Sequence, residues 1–277
     1  MRLLVFGKTG QVAQELARRA PGNTGPQFVS RREADLSDPD ACTRVIAQAE
    51  VDAVINAAAW TGVDQAEVEE SAATVVNGQA PGAMARACVA TNLPFIHIST
   101  DYVFDGTGVM PFAPDHPTHP INAYGRSKLV GENEIRSSGA HHMILRTSWV
   151  VSAHGANFVK SMLRLGAERE ALNVVADQIG GPTPAASIAD ALYSIADQML
   201  SGTSGGTYHL SGTSDTSWAD FARAIMREAG LSCDIKDIAT TDYPTPAQRP
   251  LNSRLDCSTL KRDFGIERPD WRHELKD

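Results

Sequence analysis

Residues 2–13 read RLLVFGKTGQVA, and this stretch indicates how the chain begins to fold. The apolar run at residues 2–6 predicts a buried strand, and residues 11–20 predict a helix. Gly7 and Gly10 permit a tight turn and a close approach of a pyrophosphate to the backbone, while the helix N-terminus presents free N–H groups to an anion. The position of this glycine-rich string between a strand and a helix favours a dinucleotide site over a plain structural turn.

Strands and helices continue to alternate up to about residue 149. Apolar runs predict four further strands, at residues 27–30, 53–56, 94–99 and 143–146. Helical patterns lie between them, at residues 38–49, in an Ala-rich stretch that ends near residue 90, and at residues 122–138. Such alternation is typical of βαβ units. The sequence therefore predicts an α/β protein with a doubly wound parallel Rossmann sheet.

The pattern becomes looser after Trp149. Helices are predicted near residues 156–168, 185–200 and 218–229, and short strands at residues 172–175 and 207–210. Residues 243–250 contain three prolines and predict a loop. We expect an NAD(P)-binding Rossmann domain at residues 1–149 and a smaller C-terminal substrate-binding lobe at residues 150–277, partly interleaved with the first domain.

The composition is that of an ordinary globular protein, with 42% hydrophobic and 21% charged residues in a chain of 277. The net charge of −8 provides no general basic field, so we expect no nucleic-acid partner, and an anionic substrate would need a local cation. The four cysteines form no CxxC pair, which predicts reduced, buried thiols. Gly7 interrupts the first apolar run, and no later stretch approaches a membrane span. We therefore expect a cytoplasmic protein without a membrane partner.

The end of the second strand bears on the choice of cofactor. An NAD enzyme usually places Asp or Glu there, on the ribose 2′-hydroxyl. This chain has Ser30, Arg31 and Arg32 instead, and a hydroxyl with a guanidinium suits the 2′-phosphate of NADPH. The alternative is that both arginines are solvated surface charges. Glu33 and Asp35 follow closely and leave NADH open as a cofactor.

Tyr124 and Lys128 are four residues apart at the start of a predicted helix, so both side chains lie on one face. A tyrosine ordinarily titrates near pH 10, and a neighbouring cation would stabilise its phenolate. The phenol could then lose and regain a proton near neutral pH. Thr100, at the end of the fourth predicted strand, supplies a third polar group. These three residues are the predicted catalytic set.

Seven strings carry a resemblance to the extended short-chain dehydrogenase/reductases, and within them to the nucleotide-sugar reductases. They are FGKTGQV (6–12), NAAAWTGVDQAE (56–67), STDYVFDGTG (99–108), YGRSKLVGE (124–132), RTSWV (146–150), DQIGGPT (177–183) and YPTPAQRPLNSRLD (243–256). They span nearly the whole chain in the family's order. Ala13 departs from the family at the third glycine position of the turn, which mainly concerns helix–strand packing.

The resemblance implies an oxidoreductase that uses NADPH to reduce the C4 ketone of dTDP-4-dehydro-L-rhamnose (dTDP-6-deoxy-L-lyxo-4-hexulose) to dTDP-L-rhamnose. This step belongs to dTDP-rhamnose biosynthesis and feeds polysaccharide biosynthesis. In it, Tyr124 would be the acid, Lys128 its partner, and Thr100 the hydroxyl on the sugar ketone. The implied cofactor-binding residues are Gly7, Thr9, Gly10, Gln11, Val12, Ser30, Arg31, Asp35, Leu36, Ala57, Ala58, Ala59, Tyr124 and Lys128.

The dTDP-sugar would contact residues from several of these strings, namely Thr61, Val63, Thr100, Asp101, Tyr102 and Trp149. For Val63 and Trp149, the alternative is core packing. The local cations for the substrate diphosphate are predicted to be Arg249 and Arg254, held by the Pro-rich segment 243–256. Each of them could instead be a surface charge or pair with Asp242 or Asp256.

Some members of this family bind Mg²⁺ at a homodimer contact through carboxylates. Glu15 matches one such position, but residues 186–190 carry only Asp190, so the resemblance leaves both the metal and the homodimer open. Two other functions also stay open. One is a reductase or epimerase of another nucleotide sugar, and the other is a non-catalytic regulatory subunit of the same fold. The presence of Thr100, Tyr124 and Lys128 together argues against the regulatory subunit, because a binding module does not need them.

Overall fold

A computed structural model describes residues 1–21 and 25–275. Its strands are, in chain order, β1 (Leu3–Phe6), β2 (Gln27–Val29), β3 (Ala53–Asn56), β4 (Phe95–Thr100), β5 (His142–Thr147), β6 (Val150–Val151), β7 (Ala171–Val175), β8 (Ile179–Gly180), β9 (Thr183–Pro184), β10 (Gly206–His209), β11 (Thr216–Ser217), β12 (Asp234–Ile238) and β13 (Asn252–Ser253). Its α-helices are α1 (Gln11–Arg18), α2 (Pro39–Gln48), α3 (Val63–Ala66), α4 (Glu70–Thr74), α5 (Ala80–Thr91), α6 (Ala123–Ser137), α7 (Phe158–Glu168), α8 (Ala185–Leu200), α9 (Trp218–Glu228), α10 (Ser258–Phe264) and α11 (Trp271–Glu274). Short turns of other helix types lie at Val75–Gln79, Asp101–Val103 and Thr240–Asp242.

The largest sheet in the described ranges has six parallel strands in the order β10-β5-β4-β3-β1-β2. The predicted doubly wound parallel sheet is therefore confirmed. The register sets Phe6 beside Asn56, and Asn56 beside His97. Because parallel strands end at one edge of a sheet, the turn after β1, the end of β3 and the end of β4 meet there.

The central strands are apolar along their whole length because helices cover both faces of the sheet. All four residues of β1 are buried. On one face, Leu16 of α1 packs with Ile188 and Leu192 of α8. On the other face, Ile46 of α2 packs with Met84 of α5. These two cores fix the sheet edge on which the predicted site residues lie.

The second half of the chain both adds to this sheet and builds a lobe of its own. β10 forms an edge of the six-stranded sheet, and α8 packs on α1, so these segments interleave with the first half. In the lobe, Phe221 and Trp271 belong to a separate cluster beneath the β12–β7 pair. The division between residues 149 and 150 stays a prediction.

The Ala-rich helix expected before residue 90 is divided into α4, a π-helical turn at Val75–Gln79, and α5. The backbone at this turn lies directly against α6. A Cβ on Gly131 would lie 2.2 Å from the carbonyl oxygen of Asn77, and a Cβ on Gly78 would lie 2.8 Å from Val130. The two glycines allow this approach, which brings the side chain of Asn77 to the hydroxyl of Ser127 (2.9 Å). π-Helical turns of this kind are frequent at functional sites.

The cysteines and the helix composition bear on two further predictions from the sequence. All four cysteines are buried and free, as predicted. None of the helices within residues 1–21 and 25–275 combines the length and the apolar composition that crossing a bilayer requires.

Candidate active site

The turn after β1 has the shape that an anion site needs. Gly7 has φ +104°, and a Cβ there would lie 3.3 Å from the backbone of Ala57 and Ala58, so the turn requires glycine. Gly10 is the N-cap of α1, and no side chain caps the helix. A Cβ on Gly10 would meet nothing within 4 Å. The first N–H groups of α1 therefore face open space, and the residues present fit the pyrophosphate of a dinucleotide.

Gln11 and Val12, both predicted to bind the cofactor, are the first two residues of α1. The side-chain oxygen of Gln11 accepts hydrogen bonds from Ser152 (3.0 Å) and Asn157 (2.9 Å), which ties α1 to the second half of the chain. Val12 is buried in the core. Thr9 is exposed beside the turn.

Ala57, Ala58 and Ala59 follow β3, and the backbone of Ala57 and Ala58 lies against the turn at Gly7. The amide of Ala58 donates to Oδ1 of Asn56 (3.1 Å), which fixes the backbone as it leaves the strand. The small side chains leave room for a cofactor to pass along this edge.

The residues after β2 form a charged surface loop. Arg31 is exposed and donates to Asp35 (2.8 Å), while the amide of Ser30 donates to the carboxylate of Glu33 (2.7 Å). The hydrogen bonds from Ser30, with a smaller contribution from the charge of Lys8, hold the pKa of Glu33 below its ordinary value. Leu36 belongs to the core. Lys8 therefore adds a cation near this loop that the sequence reasoning did not select.

Tyr124 lies at the first turn of α6, whose N-cap Asn122 accepts a hydrogen bond from the amide of Gly125 (2.8 Å). Burial raises the pKa of Tyr124 to about 12, a hydrogen bond with Thr100 opposes this shift, and the charge of Asp101 adds to it. The phenol therefore holds its proton at neutral pH. Such a group can donate a proton to an oxygen that gains negative charge.

Lys128 is 1% exposed, and its side-chain partners lie on β4. Its Nζ donates to the carbonyl of Ile98 (2.7 Å) and lies 3.0 Å from Nε2 of His97. Burial lowers the pKa of Lys128 to about 8, and the charge of Glu132 opposes this shift. In the described part of the chain, Lys128 and Tyr124 share a helix face but form no hydrogen bond with each other, which the sequence reasoning did not foresee.

Thr100 and Asp101 stand beside this helix at the end of β4. Thr100 donates to Oδ1 of Asp101 (3.1 Å), and both side chains are buried. Burial raises the pKa of Asp101 to about 6, against hydrogen bonds from Ser253 and Thr100. Oδ2 of Asp101 is buried and has no partner among the described residues. A buried polar atom of this kind is expected to meet a ligand or water.

The comparison with known proteins identifies the family. The family model described as "RmlD substrate binding domain" matches residues 1–277. This chain belongs to the RmlD family.

Similar RmlD proteins are known from several bacteria. A dTDP-4-dehydrorhamnose reductase of Burkholderia thailandensis is 46% identical, covering 99% of this chain and 97% of its own length. A solved structure of a dTDP-4-dehydrorhamnose reductase from Clostridium acetobutylicum has a TM-score of 0.94 at 32% identity, covering 100% of this chain and 97% of the other. The Bacillus anthracis enzyme, solved in complex with NADP, has a TM-score of 0.93 at 32% identity, covering 99% and 97%.

Two aromatic contacts involve residues that the sequence assigned to the site. The ring of Tyr102 meets that of Tyr124 edge-on, with centroids 5.5 Å apart. Trp149 follows β5 with φ +48° and stacks on Trp218 at a centroid distance of 3.6 Å. A Cβ on Gly180 would lie 2.8 Å from the Trp149 ring, so Gly180 is required for that ring position. The sequence reasoning selected neither Trp218 nor Gly180.

Thr61 and Val63 lie before and at the start of the short helix α3, where Thr61 is exposed and Val63 is half-buried. The next residue, Asp64, connects this helix to the Pro-rich segment 243–256. It accepts from the amide of Ala247 (3.1 Å) and from the guanidinium of Arg249 (2.8 Å). Neither Val63 nor Asp64 is part of the large core clusters.

Both arginines of the Pro-rich segment are partnered. Arg249 pairs with Asp64, whereas Arg254 donates to Asn252 (3.1 Å) and lies 3.7 Å from Asp215. The carboxylates considered from the sequence, Asp242 and Asp256, are not these partners. The true partners lie about 40 residues before Arg254 and 185 residues before Arg249, beyond the reach of local reasoning.

The carboxylates considered for Mg²⁺ do not form a metal site within one chain. Glu15 is buried and bonded to Arg18 (3.0 Å) and His154 (3.1 Å). The guanidinium of Arg19 lies 3.5 Å from Glu15 and 2.7 Å from Asp190, so a fixed cation already bridges the two carboxylates. In residues 1–21 and 25–275, no group of three or more potential ligands could hold a metal ion.

Proposed function

We propose that this protein is an NADPH-dependent oxidoreductase that reduces the C4 ketone of dTDP-4-dehydro-L-rhamnose to form dTDP-L-rhamnose. One observation carries the proposal. A protonated Tyr124 lies beside the hydroxyl of Thr100 at the sheet edge that also holds the dinucleotide turn. A reductase needs a hydride donor and a proton donor on the same carbonyl, and this edge accommodates both. The names of the RmlD relatives agree with this activity.

NADPH, when bound, supplies the hydride. The N-terminus of α1 and the turn at Gly7 would hold its pyrophosphate. Tyr124 donates its proton to the C4 oxygen as negative charge develops there, and Thr100 donates a hydrogen bond to the same oxygen. Reduction then requires a tyrosine that is protonated at neutral pH, in agreement with its raised pKa of about 12.

The preference for NADPH over NADH belongs to this proposal. A relative with 32% identity has been solved with NADP. In this chain, Ser30, Arg31 and Lys8 place a hydroxyl and two cations around the end of β2. A 2′-phosphate would compete with Asp35 for the exposed guanidinium of Arg31, and a phosphate binds arginine in pairs of hydrogen bonds.

The substrate contacts are proposed from the same edge. Trp149 and Tyr102 would line the sugar and base, with Thr61, Val63 and Asp101 nearby. Arg249 and Arg254 would meet the diphosphate, since both belong to the Pro-rich segment 243–256, which contains β13 and is hydrogen-bonded to α3. The homodimer and the cytoplasmic location stay predictions.

A single incubation tests the activity. Purified protein is mixed with dTDP-4-dehydro-L-rhamnose and NADPH, and the nicotinamide absorbance and the product mass are followed. We expect loss of absorbance together with a product that is two hydrogens heavier than the substrate. A product of unchanged mass would indicate an epimerase, and an absence of turnover would favour a regulatory subunit.

A further inference from the structure

One side chain joins the start of α6 to the Pro-rich segment 243–256. Asn122, the N-cap of α6, accepts a hydrogen bond at Oδ1 from the amide of Gly125 (2.8 Å) and donates from Nδ2 to the carbonyl oxygen of Gln248 (2.8 Å). The second bond connects residues that are 126 positions apart in the sequence. Asn122 is 1% exposed, so its amide depends on these two partners rather than on solvent.

The cap alone does not require asparagine at position 122. Ser, Thr, Asp and Asn are all good N-cap residues, because each offers a side-chain oxygen to the first amides of a helix. The carbonyl of Gln248 can only accept, so its partner must donate, which a carboxylate cannot do. A hydroxyl carries its donor and acceptor on one atom close to the backbone, whereas the amide carries them on two atoms that point apart. The second bond therefore explains why this cap is an asparagine.

The Pro-rich segment has few other hydrogen bonds to the rest of the protein. Within the described part of the chain, residues 244–250 belong to no helix or strand and form no backbone–backbone hydrogen bond. On one side, Asp64 of α3 accepts from the amide of Ala247 (3.1 Å) and from the guanidinium of Arg249 (2.8 Å). On the other side, Asn122 binds the carbonyl between these two residues. The position of Arg249 therefore depends on both α3 and α6.

A third link connects α3 directly to α6. Glu67, which follows α3, accepts from the amide of Ala123 at the start of α6 (2.7 Å). The backbone of α6 also lies tightly against the turn after β4, because a Cβ on Gly125 would lie 2.1 Å from the carbonyl oxygen of Tyr102. The helix start, α3 and the Pro-rich segment are thus each hydrogen-bonded to the other two, and the start of α6 is the fixed member of this ring.

We propose that Asn122 is a positioning residue that holds Arg249, the cation proposed for the substrate diphosphate, at a fixed place relative to Tyr124, the proposed proton donor. Gln248 directly precedes Arg249, and Tyr124 follows Asn122 by two residues, so a single hydrogen bond connects the two ends of the substrate site. The inference rests on the proposed function for the ligand that Arg249 binds. The attachment of the segment to α6 does not depend on that function.

Hydrogen exchange measured by mass spectrometry tests the attachment without substrate. Asn122→Ser keeps an oxygen for the amide of Gly125 but is too short to reach Gln248 as well, whereas Asn122→Ala removes both bonds. In both variants, the peptide that covers residues 243–251 should exchange faster by up to about tenfold, as expected for one lost hydrogen bond. The first turns of α6 should exchange faster only in Asn122→Ala. An unchanged rate over residues 243–251 in Asn122→Ser would overturn the proposal.

The control for these exchange measurements is Asn157→Ser, the same substitution at the N-cap of α7. Asn157 accepts from the amide of Lys160 (3.1 Å), and its NH₂ donates to Gln11 and to the loop that begins at Ser152, not to the Pro-rich segment. Exchange over residues 243–251 should therefore stay at the parent rate. Equally fast exchange there in Asn157→Ser and Asn122→Ser would mean that the loss of any asparagine cap loosens the segment, which contradicts the proposal.

Steady-state kinetics test what the attachment positions. Asn122→Ser should raise the KM for dTDP-4-dehydro-L-rhamnose by up to about tenfold, because Arg249 is no longer held in place. The kcat and the dissociation constant of NADPH should stay nearly the same, since the helix that carries Tyr124 keeps its cap. A fall in kcat at an unchanged KM would mean that residue 122 acts only through the helix, and would overturn the proposal. If the parent protein does not turn over this sugar, the proposed function fails, and the exchange rates still decide whether Asn122 fastens the segment.

Discussion

The carboxylate of Glu132 and the guanidinium of Arg146 form an ion pair 2.7 Å long from which solvent is almost fully excluded. Arg146 donates from Nε and Nη2 to the two carboxylate oxygens, and Ser99 donates to the same carboxylate (2.6 Å). The pair therefore connects α6 to β5 and β4, one helical turn from Lys128. These hydrogen bonds and charges hold the pKa of Glu132 below its ordinary value despite burial.

Glu132→Gln should lower the free energy of unfolding by about 3–5 kcal/mol, because it leaves a buried guanidinium without its counter-charge. The measurement is urea-induced unfolding at pH 7. The matched control is Glu267→Gln, which breaks an exposed pair with Lys261 (2.9 Å) and should have little effect. Similar losses in the two variants would show that burial does not decide the strength of the Glu132 pair.

Tyr124→Phe should reduce kcat by about 10²–10⁴-fold while the fold and the NADPH affinity stay nearly the same. The substitution removes the proton donor and no packing volume. Tyr208→Phe is a control that removes a hydroxyl bonded to Asp263 (3.1 Å) on the edge strand β10. If Tyr124→Phe keeps more than about a tenth of the activity, the proton comes from another group.

Much of the fold was predictable, because the apolar runs in the sequence are the segments that the folded protein buries. β1 and β3 are short apolar runs, and they are indeed buried strands. The turn from Gly7 to Gly10 is predictable because its backbone conformation depends on the residue types themselves.

The side-chain pairs of the candidate site were not predictable from local patterns, because they join residues that are distant in the sequence. Asp64 and Arg249 are 185 positions apart, so nothing in the sequence pairs them. Asn56 and His97 were visible as polar residues within otherwise apolar strands, a signal that could have been followed. Their hydrogen bond (3.1 Å) arises because the register of β3 and β4 sets them side by side.

Arg31→Ala should weaken the binding of NADPH and leave that of NADH almost unchanged, because only NADPH carries a 2′-phosphate. Lys8→Ala should act in the same direction, since Lys8 lies close enough to affect Glu33. Dissociation constants from fluorescence titration provide the measurement, and Arg44→Ala, which breaks an exposed pair with Asp38, serves as a control for lost surface charge. Equal affinity of the parent protein for the two cofactors would contradict this prediction.

Asp101→Asn should stabilise the protein above pH 6. The pKa of Asp101 is raised from 3.8 to about 6, so the folded protein binds a proton that the unfolded chain releases between these values. The contribution of this group is thus fully present below pH 4 and is lost as the pH rises through 6. The difference in unfolding free energy between variant and parent should grow by about 2 kcal/mol from pH 4 to pH 7.

Urea unfolding of both proteins across this range measures the difference, in which all other titrating groups cancel. A difference that does not change with pH would mean that Asp101 is ionised normally in the folded state. Turnover should fall in the same variant, since Asp101 holds the hydroxyl of Thr100 (3.1 Å).

Arg249→Ala and Arg254→Ala should each raise the KM for the dTDP-sugar by roughly tenfold or more, as expected for a lost hydrogen bond to a charged group. The protein carries a net charge of −8, so the doubly charged diphosphate needs local cations. Both arginines are about one-fifth exposed, so they can reach a ligand while their carboxylate partners hold them in place. The affinity for NADPH should not change, because its pyrophosphate is proposed to bind at the N-terminus of α1, away from both arginines.

A substitution of Asp64, the carboxylate partner of Arg249, provides a second test of the same site. Asp64 competes with the diphosphate for the same guanidinium, so Asp64→Asn should lower the KM, provided that Thr61 and Val63 keep their positions. Arg262→Ala, which removes an exposed cation paired with Asp263, shows how much the general field contributes and should leave the KM unchanged. If Arg249→Ala and Arg254→Ala both keep the parent KM, the diphosphate binds elsewhere, and the two arginines serve only to fasten the Pro-rich segment to α3 and to Asp215.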